Sequence, residues 1–426
     1  MTLHPRERRS SAEVDPSSVS RRDFIKRAAG TAFALSSAGA LLEACGKGTP
    51  AGGTSSSLSL PLARPDNPVK WPIFGNNMPI AAGLQPEQNA TLKLYNWSDY
   101  IYKKVLNDFA KKYKKYNVTV NLSTFDNMDE ALAKIRSGQV DFDVFFPTVD
   151  VLGKLVELKF LRPLNHSYLP NIDSVWRELR DPFYDRGSQY TVPYVAYTTG
   201  IAWRTDQIKE DVTARSMPYD VLWDPKYKGK TEVLDDYRET MSMALLKNGI
   251  YDVNTGKKLN LELARRELLN LKKATNPLVN VRDYVDLPEG KVGVTEAWSG
   301  DMINSQYYGP KGFDPGILRY WALPVHAPVN NDTVAILRSG KNPVMSHLFL
   351  NYMLDFNNAM ENFSWVGYQP PQTALNADLL VKQQLIPPNL RSTVVTESIW
   401  KTGARELELS PSVDSAWHDV WSEFKA

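Results

Sequence analysis

The sequence predicts an α/β fold in which mostly parallel sheets are flanked by helices. From residue 91 onward, short runs that alternate apolar and polar side chains are typical of strands, and longer runs with helical apolar spacing follow them. This strand–helix order repeats along the chain, and successive βα units place their strands parallel in one sheet. Hydrophobic residues make up 42% and charged residues 23% of the 426 residues, which suits a globular protein of two or three domains.

The first half of the folded region contains three predicted strand–helix units. Residues 91–96 alternate as a strand, Trp97 follows at its carboxyl end, and Ser98 or Asp99 is suited to cap the next helix. The other elements predicted here are a helix from Ile101, a strand at residues 118–122, a helix from Met128 that Gly138 stops, a strand at residues 143–146 that Pro147 ends, and a helix from Val151.

The second half continues the same alternation. Residues 190–197 and 200–204 are interpreted as two separate strands. Because the carboxyl ends of parallel strands share one edge of a sheet, ligand contacts are expected at that edge. The later predicted elements are strands at residues 231–234, 291–297 and 332–337, and helices from Met241, at residues 261–271 and at residues 343–354.

Residues 1–45 have the features of an export signal. Arg21 and Arg22, followed by Phe24 and Ile25, form a twin-arginine pattern. The apolar run that follows is too short for a transmembrane helix. It ends in a sequence that resembles a bacterial lipobox, which predicts that Cys45 becomes the lipidated first residue of an extracytoplasmic protein. An unmodified, buried Cys45 is the alternative.

Residues 46–89 are rich in Gly, Ser and Pro, and this composition predicts a flexible tether that becomes a stiffer, extended linker. Four apolar residues in its second half are suited to lie against the folded body, namely Ile73, Phe74, Met78 and Ile80.

Charge and cysteine usage exclude several classes of function. Residues 1–44 carry seven Lys/Arg and five Asp/Glu, so the rest of the chain holds 43 of each sign and no basic surplus for nucleic acid. One cysteine allows no disulfide framework, and the five histidines lack metal-ligand spacing. With no Walker loop and no GxSxG motif, the sequence predicts no cofactor, no metal and no enzyme activity.

Aromatic and acidic residues recur where predicted strands end. Flat aromatic faces attract cations, and carboxylates pair with ammonium groups, so this combination suits a thin cationic ligand such as a linear amine. The simpler alternatives are helix capping for Asp236 and Glu239, and core packing for the aromatics. The residues at these ends are Trp97, Thr148, Asp150, Asp236, Glu239, Trp298, Asp301 and Asp332.

Six motifs resemble the bacterial spermidine/putrescine-binding proteins, the extracytoplasmic receptors of polyamine ABC importers. The similarity extends from about residue 91 to the C-terminus. The motifs are YNWSDY at residues 95–100, DFDV at 141–144 before Pro147 and Thr148, LWDPKYKG at 222–229, DDYRE at 235–239, DTVAI at 332–336 and GYQP at 367–370.

The resemblance implies a ligand site and also shows departures from the family pattern. Thr148 and Asp150 stand where the family usually has Ser and Tyr, and Asn330 stands where a second Trp wall is usual. The residues that the resemblance assigns to ligand contacts are Trp97, Ser98, Tyr100, Asp236, Glu239, Trp298, Asp332 and Tyr368, to which Thr148 and Asp150 are added by position.

The family fold implies two α/β lobes of the type II periplasmic-binding-protein kind, with the ligand between them and a membrane permease as the docking partner. Lobe 1 is expected at residues 90–199 and 332–376, and lobe 2 at 200–331 and 377–426. Chain crossings are expected near residues 198–202 and 331–334 and after Tyr368, and the protein is expected to be monomeric. The alternatives are another cationic or zwitterionic solute, such as an amino acid derivative, and a secreted hydrolase that uses Asp236 and Glu239.

Overall fold

The computed structural model describes residues 61–125 and 128–426 of the chain, so the export signal with Arg21 and Arg22, the predicted lipidation site Cys45 and the first part of the linker lie outside the described residues. The described part folds into two α/β lobes whose strands join in one continuous mixed sheet. The strands are β1 (Thr91–Trp97), β2 (Thr119–Phe125), β3 (Val144–Phe145), β4 (Thr191–Arg204), β5 (Thr231–Leu234), β6 (Leu278–Asn280), β7 (Val294–Trp298), β8 (Leu318–Trp321) and β9 (Val329–Ile336).

The strand order is β2-β1-β3-β9-β4-β7-β5-β6, and β8 pairs with β4 beside this path. In lobe 1, β1 lies parallel between β2 and β3, and in lobe 2, β5 lies parallel between β6 and β7. Every antiparallel pair among the described strands involves β4 or β9, which occupy the middle of the sheet. The βα pattern therefore predicts the parallel part of each lobe, and the central strands make the sheet mixed.

Residues 190–197 and 200–204 do not form two strands, as the sequence indicated, but one strand of 14 residues, β4. Its first part pairs with β9 in lobe 1 and its second part, from Thr199, pairs with β7 and β8 in lobe 2. Gly200 gave the appearance of a break. Glycine is required here because the backbone of β4 passes close to that of β8. A Cβ at this position would lie 2.1 Å from the carbonyl oxygen of Trp321.

Helices cover the sheet in both lobes, and among the described residues none is long and apolar enough to cross a membrane. They are α1 (Lys103–Lys112), α2 (Met128–Ser137), α3 (Leu152–Glu157), α4 (Arg177–Arg180), α5 (Tyr237–Lys247), α6 (Lys258–Thr275), α7 (Asp283–Glu289), α8 (Ser299–Ser305), α9 (Pro343–Leu354), α10 (Phe356–Val366), α11 (Ala377–Lys382), α12 (Glu397–Thr402) and α13 (Pro411–Lys425).

Short 3₁₀ helices occupy several of the connections. They lie at Lys114–Tyr116, Val149–Val151, His166–Tyr168, Pro170–Ser174, Val212–Ala214, Pro218–Trp223, Pro225–Tyr227, Pro315–Ile317 and Pro388–Thr393.

The start of α1 differs from the prediction that Ser98 or Asp99 caps it. Tyr102 is the N-cap residue and makes no side-chain cap bond; its backbone N–H instead donates to Oδ1 of Asn362 at 2.9 Å. Asp99 has a φ of +55°, a left-handed conformation that turns the chain before the helix can begin. The predicted side-chain cap is therefore absent, and a tertiary contact with Asn362 holds the N-cap residue in place.

Each lobe has its own apolar core. In lobe 1, residues such as Leu94, Phe109 and Phe349 pack between the sheet and the helices. In lobe 2, α6 and α13 cover β4, β5 and β7 through residues such as Leu268 and Trp417. Trp298 comes from the lobe 2 strand β7 and packs against the lobe 1 core, so it bridges the two lobes.

The second part of the predicted linker is not flexible. We call residues 61–80 the N-terminal strap; it lies along lobe 1, where Trp71 is only 3% exposed and its indole N–H donates to the carbonyl of Tyr184 at 2.7 Å. The backbone of Val69 pairs with Phe183 and Arg186, and the side chain of Asn77 donates to the carbonyl of Leu161. Composition indicated a tether because Pro and Gly are frequent here, but the few apolar residues suffice to anchor it.

Replacing Trp71 by Ala is expected to lower the free energy of unfolding by about 3–5 kcal/mol, because the change removes a buried ring and leaves the Tyr184 carbonyl unpaired. Urea denaturation of the ligand-free protein measures this. Met78→Ala is the matched control, because Met78 is 57% exposed on the same segment and its loss is expected to cost less than about 0.5 kcal/mol. Equal effects of the two changes would contradict a packed strap.

Candidate functional site

Tyr100 and Asp332 form the centre of the site on the lobe 1 side. The turn after β1 places the phenol of Tyr100 against Asp332 in β9, and the hydroxyl donates to Oδ2 at 2.7 Å. Thr148, after β3, makes an isolated bridge with Asp332 across the sheet. Burial raises the pKa of Asp332 to about 7, although the Tyr100 hydrogen bond favours the ionised form.

Tyr100, Tyr368 and Tyr197 form a row of aromatic rings that begins at this pair. The ring of Tyr368 packs edge-on against Tyr100 at 4.9 Å and against Tyr197 at 5.7 Å between centroids. Burial, followed by the charges of Asp332 and Glu239, raises the pKa of Tyr197 well above its usual range. Tyr197 therefore lies among the acids of both lobes, at the point where β4 crosses.

Asp236 and Glu239 form the acidic side of the site in lobe 2. Asp236 is the N-cap of α5 and accepts hydrogen bonds from the backbone N–H groups of Arg238 and Glu239, so the capping alternative is correct for Asp236. Glu239 is buried one turn further on and accepts a hydrogen bond from the indole N–H of Trp298 at 2.7 Å. Burial, followed by repulsion from Asp236, raises the pKa of Glu239 to about 8.

Two further carboxyl groups, which the sequence argument did not single out, join this acidic side. Glu296 in β7 accepts from the hydroxyl of Thr240 and the N–H of Leu234, and burial raises its pKa to about 8. Glu406 follows α12; burial, followed by the charge of Glu239, raises its pKa well above the usual range. The sequence carries one signal for Glu406, because Glu406 and Glu408 alternate with Leu407 and Leu409 as in an extended segment with one buried face.

One oxygen of each of three buried carboxyl groups has no hydrogen-bond partner within residues 61–125 and 128–426. These atoms are Oε2 of Glu239, Oε1 of Glu296 and Oε1 of Glu406. The nearby guanidinium of Arg238 is engaged by the carbonyls of Leu407 and Val253 and by Asn254. Without a cation the raised pKa values favour protonated carboxyls, whereas an ammonium group would favour the ionised form.

Asp150 lies between the two acidic groups. Its charge raises the pKa of both Asp236 and Asp332, although burial is the larger cause for each of them. Asp150 therefore faces the seam between the lobes from the 3₁₀ turn that follows β3.

Trp97 and Ser98 lie at the end of β1, where their contacts within the described residues are with Phe125 rather than with the acids. The ring of Trp97 packs on Phe125 at 4.6 Å, and its indole N–H is buried and has no partner in the part of the chain that the structure describes. Ser98 is exposed and its backbone N–H donates to the carbonyl of Phe125. Of the predicted residues, the structure thus brings Tyr100, Thr148, Asp150, Asp236, Glu239, Trp298, Asp332 and Tyr368 to the seam, and leaves Trp97 and Ser98 at its rim.

A second buried pair of acids underlies Tyr368. Burial, followed by the charge of Asp301, raises the pKa of Asp283 well above its usual range, and burial raises the pKa of Asp301 to about 6. Ionising Asp283 is therefore opposed both by its burial and by the neighbouring charge of Asp301. Among the described residues, no group of His, Cys, Asp and Glu is arranged to hold a metal ion.

Two α/β lobes, joined by a strand that crosses between them and lined at their seam by aromatic and acidic side chains, define the chain as a solute-binding protein. A family model described as bacterial extracellular solute-binding protein matches residues 104–386. The chain belongs to this family.

Similar proteins have modest sequence identity but extensive coverage. A spermidine/putrescine-binding periplasmic protein of Haemophilus influenzae is 29% identical over 285 residues, which are 66% of this chain and 75% of that protein. A putrescine/cadaverine-binding protein of Pseudomonas aeruginosa is 26% identical over 358 residues, which are 81% of this chain and 96% of that protein.

A solved structure has a similar fold. A spermidine/putrescine ABC transporter substrate-binding protein of Streptococcus pneumoniae superposes with a TM-score of 0.65 at 24% identity, over 79% of this chain and 98% of that chain. The expected two-lobed α/β fold is therefore confirmed.

The raised pKa of Glu239 predicts a pH-dependent stability of the ligand-free protein. In the unfolded chain the carboxyl ionises near its ordinary pKa, whereas in the folded protein it retains its proton up to a pH of about 8. The folded state thus binds more protons between these values, so this group lowers the free energy of unfolding as the pH rises through that window.

Glu239→Gln removes this contribution and retains an oxygen that can accept the Trp298 hydrogen bond. Relative to the parent, the variant is expected to gain at least about 1 kcal/mol of stability between pH 5 and pH 8. Urea denaturation at each pH gives the difference, and Glu262→Gln on the exposed face of α6 serves as the control. A difference that does not change with pH would contradict the assignment.

Proposed function

We propose that this chain is the extracytoplasmic receptor of an ABC importer for polyamines such as spermidine and putrescine. One observation carries the proposal: buried carboxyl groups of both lobes converge on the seam, and in the described residues no lysine or arginine pairs with Asp332 or Glu239. On the lobe 2 side, Glu239, Glu296 and Glu406 each keep one oxygen without a hydrogen-bond partner there. A buried carboxylate is stable only when it is paired, and a linear diamine or triamine supplies ammonium groups to both lobes at once.

The two acidic sides suit the two ends of such a ligand. Asp332 and the Tyr100 hydroxyl would bind one ammonium group, and Glu239 with Asp236 would bind the other. The row of tyrosines and Trp298 lies between these sides and provides flat apolar faces for the methylene chain. Glu406 and Asp150 add negative charge from the lobe 2 and lobe 1 sides respectively.

The names of the relatives support this ligand class, because the Haemophilus influenzae and Pseudomonas aeruginosa proteins are named for spermidine, putrescine or cadaverine. Their identity to this chain is below 30%. The resemblance described above also implies an aromatic residue where this chain has Asn330. Asn330 accepts a hydrogen bond from the backbone N–H of Glu406 at 3.1 Å, so the side chain that replaces an aromatic wall positions an extra acid.

Ligand capture proceeds by closure of the lobes on the amine. We propose the expected division, with residues 90–199 and 332–376 in lobe 1 and 200–331 and 377–426 in lobe 2, with two adjustments. Val395 and Trp400 pack in the lobe 1 core, so we place the last crossing between Trp400 and Leu407. We place the second crossing ahead of Val329, where β9 begins. The reason is that the expected crossing residues 331–334 lie inside β9, which pairs with the lobe 1 part of β4. The closed monomer then docks on its permease.

A second ligand class, a zwitterion with an amine at one end and a carboxylate at the other, is favoured by Arg405. This residue lines the same cleft as Asn330 and Glu406, and its buried Nε atom has no partner among the described residues. Its terminal nitrogen donates to the carbonyl of Trp400, so only part of the guanidinium is engaged. A thermal-shift panel of putrescine, cadaverine, spermidine and 4-aminobutanoate separates the two classes.

Asp332→Asn is expected to weaken putrescine and spermidine binding by roughly tenfold to a hundredfold, because a charge-assisted hydrogen bond to ammonium becomes a neutral one. Isothermal titration calorimetry at pH 7.5 measures both affinities. Asp235→Asn is the matched control, since Asp235 lies next to Asp236 in sequence but pairs with Lys425 on the surface. Unchanged affinity in Asp332→Asn would refute the role of Asp332, and a parent that binds neither amine would refute the ligand class.

We also propose export through the twin-arginine pathway, with Arg21 and Arg22 as its signal, and lipid anchoring at Cys45 on the outer face of the membrane. Cys45→Ala is expected to move the mature protein from the membrane fraction to the soluble extracytoplasmic fraction, because the thiol that accepts the lipid is lost. Fractionation of cells and immunoblotting would show this shift. Export that is unchanged in a variant with both Arg21 and Arg22 replaced by Lys would contradict the twin-arginine route.

A further inference from the structure

The N-terminal strap touches both lobes. It lies ahead of residue 104, where the family match begins, and three of its residues fix it to lobe 1: Val69, Trp71 and Asn77 are buried and hydrogen-bonded there. A few residues earlier, the chain reaches the C-terminal segment that follows α12. The strap is therefore a third connection between the lobes, separate from the crossings of the sheet.

Arg64 makes the contact with lobe 2. Residues 64–67 form a tight turn in which the backbone groups of Arg64 and Asn67 hydrogen-bond to each other at 3.1 Å. From this turn the Arg64 guanidinium donates to the backbone carbonyl of Glu408 at 2.6 Å and to the carbonyl of Ala63 at 2.8 Å. The turn fixes the backbone from which the side chain projects, and the planar guanidinium presents its donors in a fixed geometry.

The segment that accepts this hydrogen bond belongs to lobe 2. The carbonyl of Leu407 accepts from Arg238 of α5, its N–H donates to Asn254, and Leu409 is buried in the lobe 2 core. Glu408 therefore moves with lobe 2, whereas Trp71 moves with lobe 1. Opening of the cleft has to break the Arg64 contact or peel the strap from lobe 1.

The contact lies over the acid-lined end of the seam. Ala63 and Trp71 of the strap line one groove together with Val149 and Leu152 of lobe 1 and with Leu407 and Glu408 of lobe 2. Asp150 follows Val149 directly, and its charge acts on both Asp236 and Glu408. The strap thus covers the place where the acids of the two lobes approach each other.

We propose that the strap is a latch in which Arg64 holds the lobes in the closed arrangement and slows the release of the bound solute. The part of this proposal that concerns release rests on the proposed polyamine function; the part that concerns closure does not. The Arg64 contact stabilises the closed state without touching the ligand, and the ligand leaves only after the lobes open, so its loss affects dissociation more than association.

The closure is tested by distance measurement in the full chain with Cys45→Ser. Spin labels are attached through Lys111→Cys in lobe 1 and Lys258→Cys in lobe 2, since these side chains are 77% and 88% exposed. Pulsed electron paramagnetic resonance gives the inter-lobe distances in the absence of ligand. Arg64→Ala is expected to shift the population toward longer distances, whereas Lys70→Ala, which removes the same charge from an exposed position on the strap, leaves it unchanged.

Release is tested by stopped-flow dissociation of putrescine and spermidine from the same variants. Arg64→Ala is expected to accelerate dissociation roughly fivefold to tenfold, and Arg64→Lys is expected to fall between this variant and the parent because it retains the charge but not the fork of donors. An unchanged distance distribution in Arg64→Ala would overturn the latch whatever the amine result. A parent that binds neither amine overturns the polyamine function and leaves the distance test to decide on the latch.

Discussion

The burial of carboxyl groups without a protein cation is the constraint on which this molecule depends. A carboxylate removed from water is costly unless it is paired, and neither Glu239 nor Asp332 is paired with a lysine or arginine in the described part of the chain. The protein meets this cost by holding protons, as the pKa values of about 8 for Glu239 and about 7 for Asp332 indicate. A cation that replaces those protons must offset the cost of releasing them, so its binding is coupled to proton release.

Around Glu239 and Asp332 the side chains are hydrogen-bond donors and aromatic rings, whereas the base that lines this cleft, Arg405, lies beside Asn330 and Glu406. The Tyr100 hydroxyl and the Trp298 indole N–H each satisfy one oxygen and leave the charge of the carboxyl available to a ligand. Arg238 is close enough to stabilise the acids, yet carbonyls and an amide engage its guanidinium. A lysine at the same seam would occupy the place of the amine and abolish the selectivity for a cation.

The sequence predicts a strand or helix well where the residues of that element and its direct neighbours determine its bounds. The boundaries of β5 and α9 match the pattern, because β-branched and apolar residues with clear stops determine them.

Among the site residues, Asp236 and Tyr100 follow from motifs at strand ends. Glu406 and Tyr197 were missed because their roles depend on tertiary approach: one is carried in by an extended C-terminal segment and the other by a strand that crosses the seam. The sequence suggested that Ile73 and Phe74 lie against the folded body, and they pack on it, but the burial of Val69 and Trp71 among the prolines was missed.

The single strand β4 has a consequence for how the two lobes are tied together. Side chains alternate along it, and beyond the crossing Ile201 and Trp203 enter one core of lobe 2 while Ala202 enters another. Deletion of one residue near Thr199 would exchange these faces and force an indole into the volume of a methyl group. The phase of the alternation at the crossing therefore dictates the packing of lobe 2, and a change of one residue at this point disrupts both cores at once.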